Sequence, residues 1–330
     1  MKRFVVLLIL LFWASLCLFA RGSKETNDFI GVIFYREDDV FISEVRAEIE
    51  QISTSEYPLN IVTSNNSQIT QNAQVDEFLE SGNCKALIIN PVDRTSVGLL
   101  IEKAKKKNVP IVFFNKEPLS SDMNKWDKVY YVGADAAECG KMVGSIFSEY
   151  YAKNTASVDR NGDGILQYVM IKGEPGHQDT ELRTEYTINT LLENGIAVER
   201  LHESSGKWER DKGKSIMERC IATYGNEIEA VFCNNDEMAI GALEAINESE
   251  VFDGIFLPVT GVDGTSHGMA AIEDGSLLCT VQNDASNQAM AMYKLAIELV
   301  KGNVPSESTI GYPIEKKRYI FIPYSPVLAD

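Results

Sequence analysis

The chain has 330 residues, 45% hydrophobic and 24% charged, with 31 Lys plus Arg against 48 Asp plus Glu and a formal net charge of −17. That length allows about two domains, each with a core of its own. The acidic balance excludes nucleic acid or an anionic membrane surface as partner, because phosphate binding needs clustered Lys and Arg.

Residues 1–23 form a separate segment. Lys2 and Arg3 precede the apolar run "FVVLLILLFWASLCLFA", and the sequence then turns polar at "RGSKETND". A charged n-region followed by an apolar h-region is an export signal. Cleavage after Ala20 would leave a free protein, and cleavage before Cys17 a lipid-anchored one. The residues ahead of Cys17, "ASL", fit a lipoprotein box poorly, so the choice stays open. An uncleaved anchor is the other alternative, although a spanning helix needs roughly 20 apolar residues. Beyond Cys17 lie Cys84, Cys139, Cys220, Cys233 and Cys279, far apart and without a C-x-x-C pair. They are expected to be small buried hydrophobes rather than a zinc site or a disulfide framework.

Apolar runs of strand length then alternate with amphipathic stretches of helical length. Strands are predicted at 29–34, 59–64, 86–90, 109–114 and 128–133, with helices over Phe41–Ile52, Ile69–Ser81 and Ser96–Lys107. The rhythm restarts with strands at 167–173, 196–201, 229–234, 256–261 and 277–282. Helices are predicted over Asp179–Asn194, Trp208–Tyr224, Glu237–Asn247, Ser266–Asp274 and Asn287–Val300. Continuous apolar strands indicate parallel sheets covered on both faces. The alternation therefore predicts an α/β chain in two similar halves, and the absence of a long Gly/Ser/Pro linker predicts a hinge of short crossings.

Ligands of such sheets sit beyond the carboxyl ends of the strands, and polar residues collect there in "FYREDD", "FFNKEP", "KGEPGHQD", "CNNDE", "TGVDG" and "VQNDAS". One Asp or Asn in such a place is more often a helix cap. Six strand ends with the same amide and carboxylate chemistry are more than capping requires.

Between the halves, "DRNGDGILQ" sets Asp159, Asn161, Asp163 and Gln167 at positions one, three, five and nine of a calcium-type loop. Gly164 stands at the sharp turn and Ile165 offers its backbone carbonyl. Tyr168, Val169, Met170 and Ile171 follow, strand formers where an EF-hand would enter a helix, so the bidentate carboxylate must come from elsewhere. Glu229, opening "EAVFCN", is the candidate; a metal-free Asx-turn loop is the alternative.

The stretches "GVIFYREDDVF", "IVFFNKEP", "YYVGAD", "DRNGDG", "KGEPGHQDTELR", "CNNDEMAIGALEA", "GVDG" and "VQNDASNQA" resemble, in order, those of the periplasmic galactose/glucose-binding proteins of ABC sugar importers. The resemblance covers nearly the whole mature chain. It implies two doubly wound parallel-sheet lobes joined by three crossings, one from 26–132 plus 285–320 and the other from 134–282 plus 323–330. It implies a monomer, free in the periplasm or lipid-anchored, that holds D-glucose or D-galactose in the cleft and serves an ABC permease or a chemoreceptor. The implied sugar contacts are Tyr35, Asp39, Phe41, Asn115, His177, Asp179, Arg183, Trp208, Asn235, Asp263 and Asn283. The implied ligands of a structural Ca2+ are Asp159, Asn161, Asp163, Ile165 through its carbonyl, Gln167 and Glu229. Departures are Gln178, where the family commonly has proline, and a short C-terminal tail.

The residue chemistry suits a sugar without the resemblance. A pyranose offers hydroxyls that both donate and accept, and apolar C–H faces. Asp39, Asp179 and Asp263 can accept, Arg183 and the amides of Asn115, Asn235 and Asn283 can donate, and Phe41 and Trp208 can cover the two faces. Arg183 follows Asp179 by one helical turn and can orient it. His177 is expected to be a neutral hydrogen-bond partner and Tyr35 a wall residue. A glycosidase would need a carboxyl raised by an apolar pocket, and here the carboxylates are expected to stay ionised among amides and Arg183. A sugar-responsive repressor would need an N-terminal helix-turn-helix, where this chain has an export signal.

Overall fold

The computed structural model describes residues 28–328; the predicted export segment with Cys17 lies outside the described residues. Twelve strands build two sheets: β1 (Phe29–Phe34), β2 (Leu59–Thr63), β3 (Cys84–Ile89), β4 (Ile111–Phe114), β5 (Val129–Gly133), β6 (Ile165–Lys172), β7 (Ala197–Ser205), β8 (Ala230–Cys233), β9 (Val259–Thr260), β10 (Cys279–Gln282), β11 (Tyr319–Phe321) and β12 (Ser325–Leu328). The first sheet runs β11-β5-β4-β3-β1-β2 and is parallel throughout. The second runs β12-β10-β9-β8-β6-β7, parallel except for its β10/β12 edge pair.

Alternation along the strands explains the two-sided cover. Ile30, Val32 and Phe34 pack with the helices Val40–Ile52 and Ala285–Val300. Ile33 points the other way, with Ile111 and Phe113, onto the helices Gln68–Glu80 and Gly98–Lys107. In the second lobe Val169 and Ile171 face the helices Arg210–Tyr224 and Asp236–Asn247, and Leu166, Tyr168 and Met170 face Ala136–Val158 and Gln178–Glu193. The chain passes from one sheet to the other after β5, after β10, and between β11 and β12; Ile322 N–H donates to Gly133 O at 2.7 Å, tying the first crossing to the third.

Some elements differ from expectation. The helix Ala136–Val158 breaks the apolar rhythm because glycines interrupt its inner face between Cys139, Val143 and Phe147: a Cβ on Gly140 or Gly144 would collide with the backbone of helix Gln178–Glu193. The strand predicted over 256–261 shrinks to Val259–Thr260, next to Pro258, which has no N–H for a ladder. Trp208, expected to open a helix, lies in a left-handed loop with φ 70, and the helix begins at Arg210.

Candidate functional site

The carboxyl ends of both sheets converge on one small enclosed cavity lined by Asp39, Phe41, Asn115, His177, Asp179, Arg183, Trp208, Asn235, Asp263 and Asn283. Phe41 and Asn115 come from the first lobe and Trp208 and Asp263 from the second, so the two aromatic rings face a shared space from opposite lobes. Tyr35 is not in the lining. It lies buried behind it, and its hydroxyl donates to Asp39 Oδ2 at 2.6 Å.

Strand ends and helix starts fix these groups. Asp39 caps helix Val40–Ile52, accepting from Ile42 N–H, and Asn235 caps Asp236–Asn247, accepting from Met238 N–H. Asn283 Oδ1 accepts from Gln288 at 2.6 Å, and Asn115 Oδ1 accepts from Asn90 at 3.1 Å. With its oxygen engaged by protein, each of these three amides keeps N–H to donate to an acceptor ligand, two on Asn115 and Asn283 and one on Asn235, whose Nδ2 also donates to Trp208 O at 3.3 Å. Asn115, Trp208 and Asp263 have φ of 59, 70 and 116. Side chains rarely adopt that region, and such strain gathers at functional sites.

Arg183 is the hub of the charged groups. Its Nη2 donates to Asp179 Oδ2 at 2.9 Å and to the Tyr324 hydroxyl at 3.0 Å, while Nη1 donates to Asn234 O at 2.8 Å and lies 3.6 Å from Asp263 Oδ1. The sequence held no cue for Tyr324. Burial raises the carboxyl of Asp179 and raises that of Asp263 well above the ordinary range, with Arg183 opposing both shifts. This corrects the expectation that nothing in the site would raise a carboxyl: the groups are nine-tenths buried or more, and desolvation outweighs the guanidinium. Burial holds His177 well below its usual pKa, so the imidazole is neutral; Nδ1 accepts from Asp179 N–H at 3.2 Å.

Trp208 is held at its edge by His177, with ring centroids 5.2 Å apart at 74°, and from behind by a glycine. A Cβ at Gly173 would fall inside the indole. Gly173→Ala should therefore push the ring toward the cavity and weaken ligand binding by about 1–3 kcal/mol; calorimetric titration checks this, and unchanged affinity would show that the indole has another place to lie.

Ion pairs cross the cleft near its rim. Buried Lys116 of the first lobe meets Glu174 of the second at 2.8 Å, and Arg36 approaches Glu209 at 3.7 Å. "FFNKEP" and "KGEPGHQD" contained the first pair, but sequence alone could not show that these loops meet.

The calcium-type loop is a chain of Asx turns. Asp159 accepts from Gly162 and Gly164 N–H, Asn161 from Asp163 N–H, and Asp163 from Ile165 N–H. Asn161 and Gln167 converge on Asp163 Oδ2 at 3.0 and 2.9 Å. Glu229 borders the loop, accepting from Arg160 and Gln167 N–H at 2.8 and 3.2 Å. Among the described residues no three His, Cys, Asp or Glu side chains stand close enough to hold a metal alone, so amide and backbone oxygens would have to complete a shell. All-oxygen donors suit a hard cation. Asn161 Nδ2 also donates to Gln167 Oε1 at 3.2 Å, so both amides lie together against the Asp163 carboxylate. The five cysteines 84, 139, 220, 233 and 279 are buried free thiols, and among the described residues no helix is long and apolar enough to cross a membrane.

Residues 30–303 match the family described as periplasmic binding protein domain. The chain is 38% identical over 314 residues to the D-galactose/methyl-galactoside binding periplasmic protein MglB of Haemophilus influenzae, covering 94% of this chain and 92% of that one. It is 28% identical over 255 residues to the ribose import binding protein RbsB of Bacillus subtilis, covering 77% and 75%. A solved ABC transporter solute binding protein from Bacillus halodurans with bound myo-inositol superposes with a TM-score of 0.74 at 26% identity, covering 93% of this chain and 96% of that one. Matching sequence, two-lobed architecture and a cavity lined from both lobes agree: the chain belongs to the periplasmic binding protein family.

Proposed function

We propose that the chain binds one hexose, D-glucose or D-galactose, between its lobes and delivers it unchanged to an ABC permease. The observation that carries this reading is the cavity lined by Phe41 and Trp208 and ringed by three Asp carboxyls, three Asn amides and Arg183, a donor and acceptor set matched to a ring of hydroxyls. The similarity to a D-galactose/methyl-galactoside binding protein supports the choice of sugar. Ligand would favour the closed lobes because only that state touches it from both sides. Titration calorimetry with D-glucose and D-galactose tests the reading: one site per chain is expected, and silence with both would refute it. Absence of catalysis is checked with nitrophenyl galactosides, where turnover at micromolar protein would contradict simple binding.

In the same reading, Asp159, Asn161, Asp163, Gln167 and Glu229, with the Ile165 carbonyl, hold a structural Ca2+. The loop stands apart from the sugar cavity, so the ion would brace the fold and not touch the sugar. Chelation should then lower the melting temperature, by the mass-action stabilisation of a ligand bound only to the native state, and leave sugar affinity within about twofold, below the range for one lost hydrogen bond. Superimposable melting curves with and without chelator would speak against an occupied site.

A further inference from the structure

We infer that Gln178 is a positioning residue that couples closure of the lobes to assembly of the sugar site, an inference resting on the sugar-binding reading above. One side-chain NH2 serves both lobes. Gln178 Nε2 donates to the backbone carbonyl of Asn115, across the cleft in the first lobe, at 2.7 Å, and to Asp179 Oδ1, in its own lobe, at 2.9 Å.

The amide has only one workable orientation. Turned over, it would set Oε1 against two acceptors, the Asn115 carbonyl and the Asp179 carboxylate. With NH2 in place, Oε1 is left buried without a partner. An orphaned buried acceptor is costly, so the two donated bonds define the arrangement. They complete the hold on Asp179, whose Oδ2 is already taken by Arg183.

The bond across the cleft belongs to the closed state. Asn115 O also accepts from the Tyr131 hydroxyl at 2.8 Å, a contact within its own lobe. That carbonyl therefore keeps a partner when the lobes part, whereas Gln178 loses its link to the other lobe. On closure the same amide is pinned between the first lobe and Asp179, and the carboxylate is fixed for the sugar. The residue should thus act on release of ligand more than on capture, since a contact made only after closure is broken on dissociation.

The test is stopped-flow fluorescence with D-galactose and D-glucose, using the tryptophan signal, on Gln178→Met, which keeps side-chain length and loses both N–H groups. Gln178→Ala is the second variant. The expected result is a dissociation rate about tenfold faster, the upper range for loss of one net hydrogen bond, with an association rate within about twofold and an unchanged melting temperature without sugar. A dissociation rate equal to that of the unaltered chain in both variants would overturn the inference. So would a lower melting temperature without sugar accompanied by equal loss in both rates, because that pattern describes a merely structural side chain. If the unaltered chain binds neither sugar, the sugar reading itself fails, a result distinct from either of these.

Discussion

Asp179→Ala and Trp208→Ala are each expected to weaken binding of D-glucose and D-galactose by at least ~2 kcal/mol, about thirtyfold in dissociation constant. The two variants reach that loss by different routes. Asp179 offers a carboxylate held on one oxygen by Arg183 and on the other by Gln178; its removal would leave a sugar hydroxyl unmatched in a cavity from which water is excluded, and would leave Gln178 with one bond instead of two. Arg183 keeps Asp263 nearby at 3.6 Å, so the guanidinium is not stranded and the fold should survive. Trp208 acts by area: its ring would cover one apolar face of the pyranose, and alanine would open that side to water. Its seat against Gly173 and His177 is prebuilt, so little ordering remains to be done on binding. Calorimetry on both variants is the check. Unchanged affinity in either would remove that residue from the site.

Arg183→Met should act on the fold itself, lowering stability by about 3–5 kcal/mol, the usual result of stripping one partner from a buried ion pair. Asp179 and Asp263 would remain buried without their cation, and Asn234 O and the Tyr324 hydroxyl would each lose a donor. The effect has a pH signature. Burial already raises both carboxyls, so the stability they supply is present in acid, below the unfolded value of about 3.9, and is lost as pH rises through their folded values. Without the guanidinium those folded values rise further. The gap between variant and unaltered chain should therefore be widest near neutral pH and narrow toward pH 4, as protonation of the carboxyls removes the charge that Arg183 compensates. Denaturant unfolding at the two pH values measures it; an equal loss at both would mean that Arg183 contributes packing and no charge compensation.

Much of this was legible in the sequence because the central parallel strands, buried on both faces, leave a continuous apolar run, while the edge strands Leu59–Thr63 and Ala197–Ser205 interleave apolar and polar residues. The strands from Phe29–Phe34 to Cys279–Gln282 lie where those runs fall, with edges moved by a few residues. Helix Ala136–Val158 was illegible for a steric reason: where two helices cross closely, Gly140 and Gly144 interrupt the buried stripe that Val143 and Phe147 would otherwise mark. Strands β11 and β12 were equally silent, being three and four residues long. The site was legible as chemistry, since Asp, Asn and Arg gathered near strand ends, and seven such side chains line one cavity with Phe41, His177 and Trp208. What the sequence could not convey was mutual distance. Nothing in "GHQD" says that Gln178 reaches Asn115, that Tyr324 lies against Arg183, or that enclosure of Asp179 and Asp263 is deep enough to raise their carboxyls despite an adjacent guanidinium. Those facts depend on how residues far apart in the chain are brought together, and on how much water the closed lobes exclude.

The most direct measurement is titration calorimetry of the purified chain against a panel of hexoses, pentoses and disaccharides, repeated with Trp208→Ala. One hexose, D-glucose or D-galactose, should bind at one site per chain with the strongest heat of the panel, and the alanine variant should bind it at least about thirtyfold more weakly. No heat from any monosaccharide, or full affinity without the Trp208 ring, would contradict a sugar held between the two lobes.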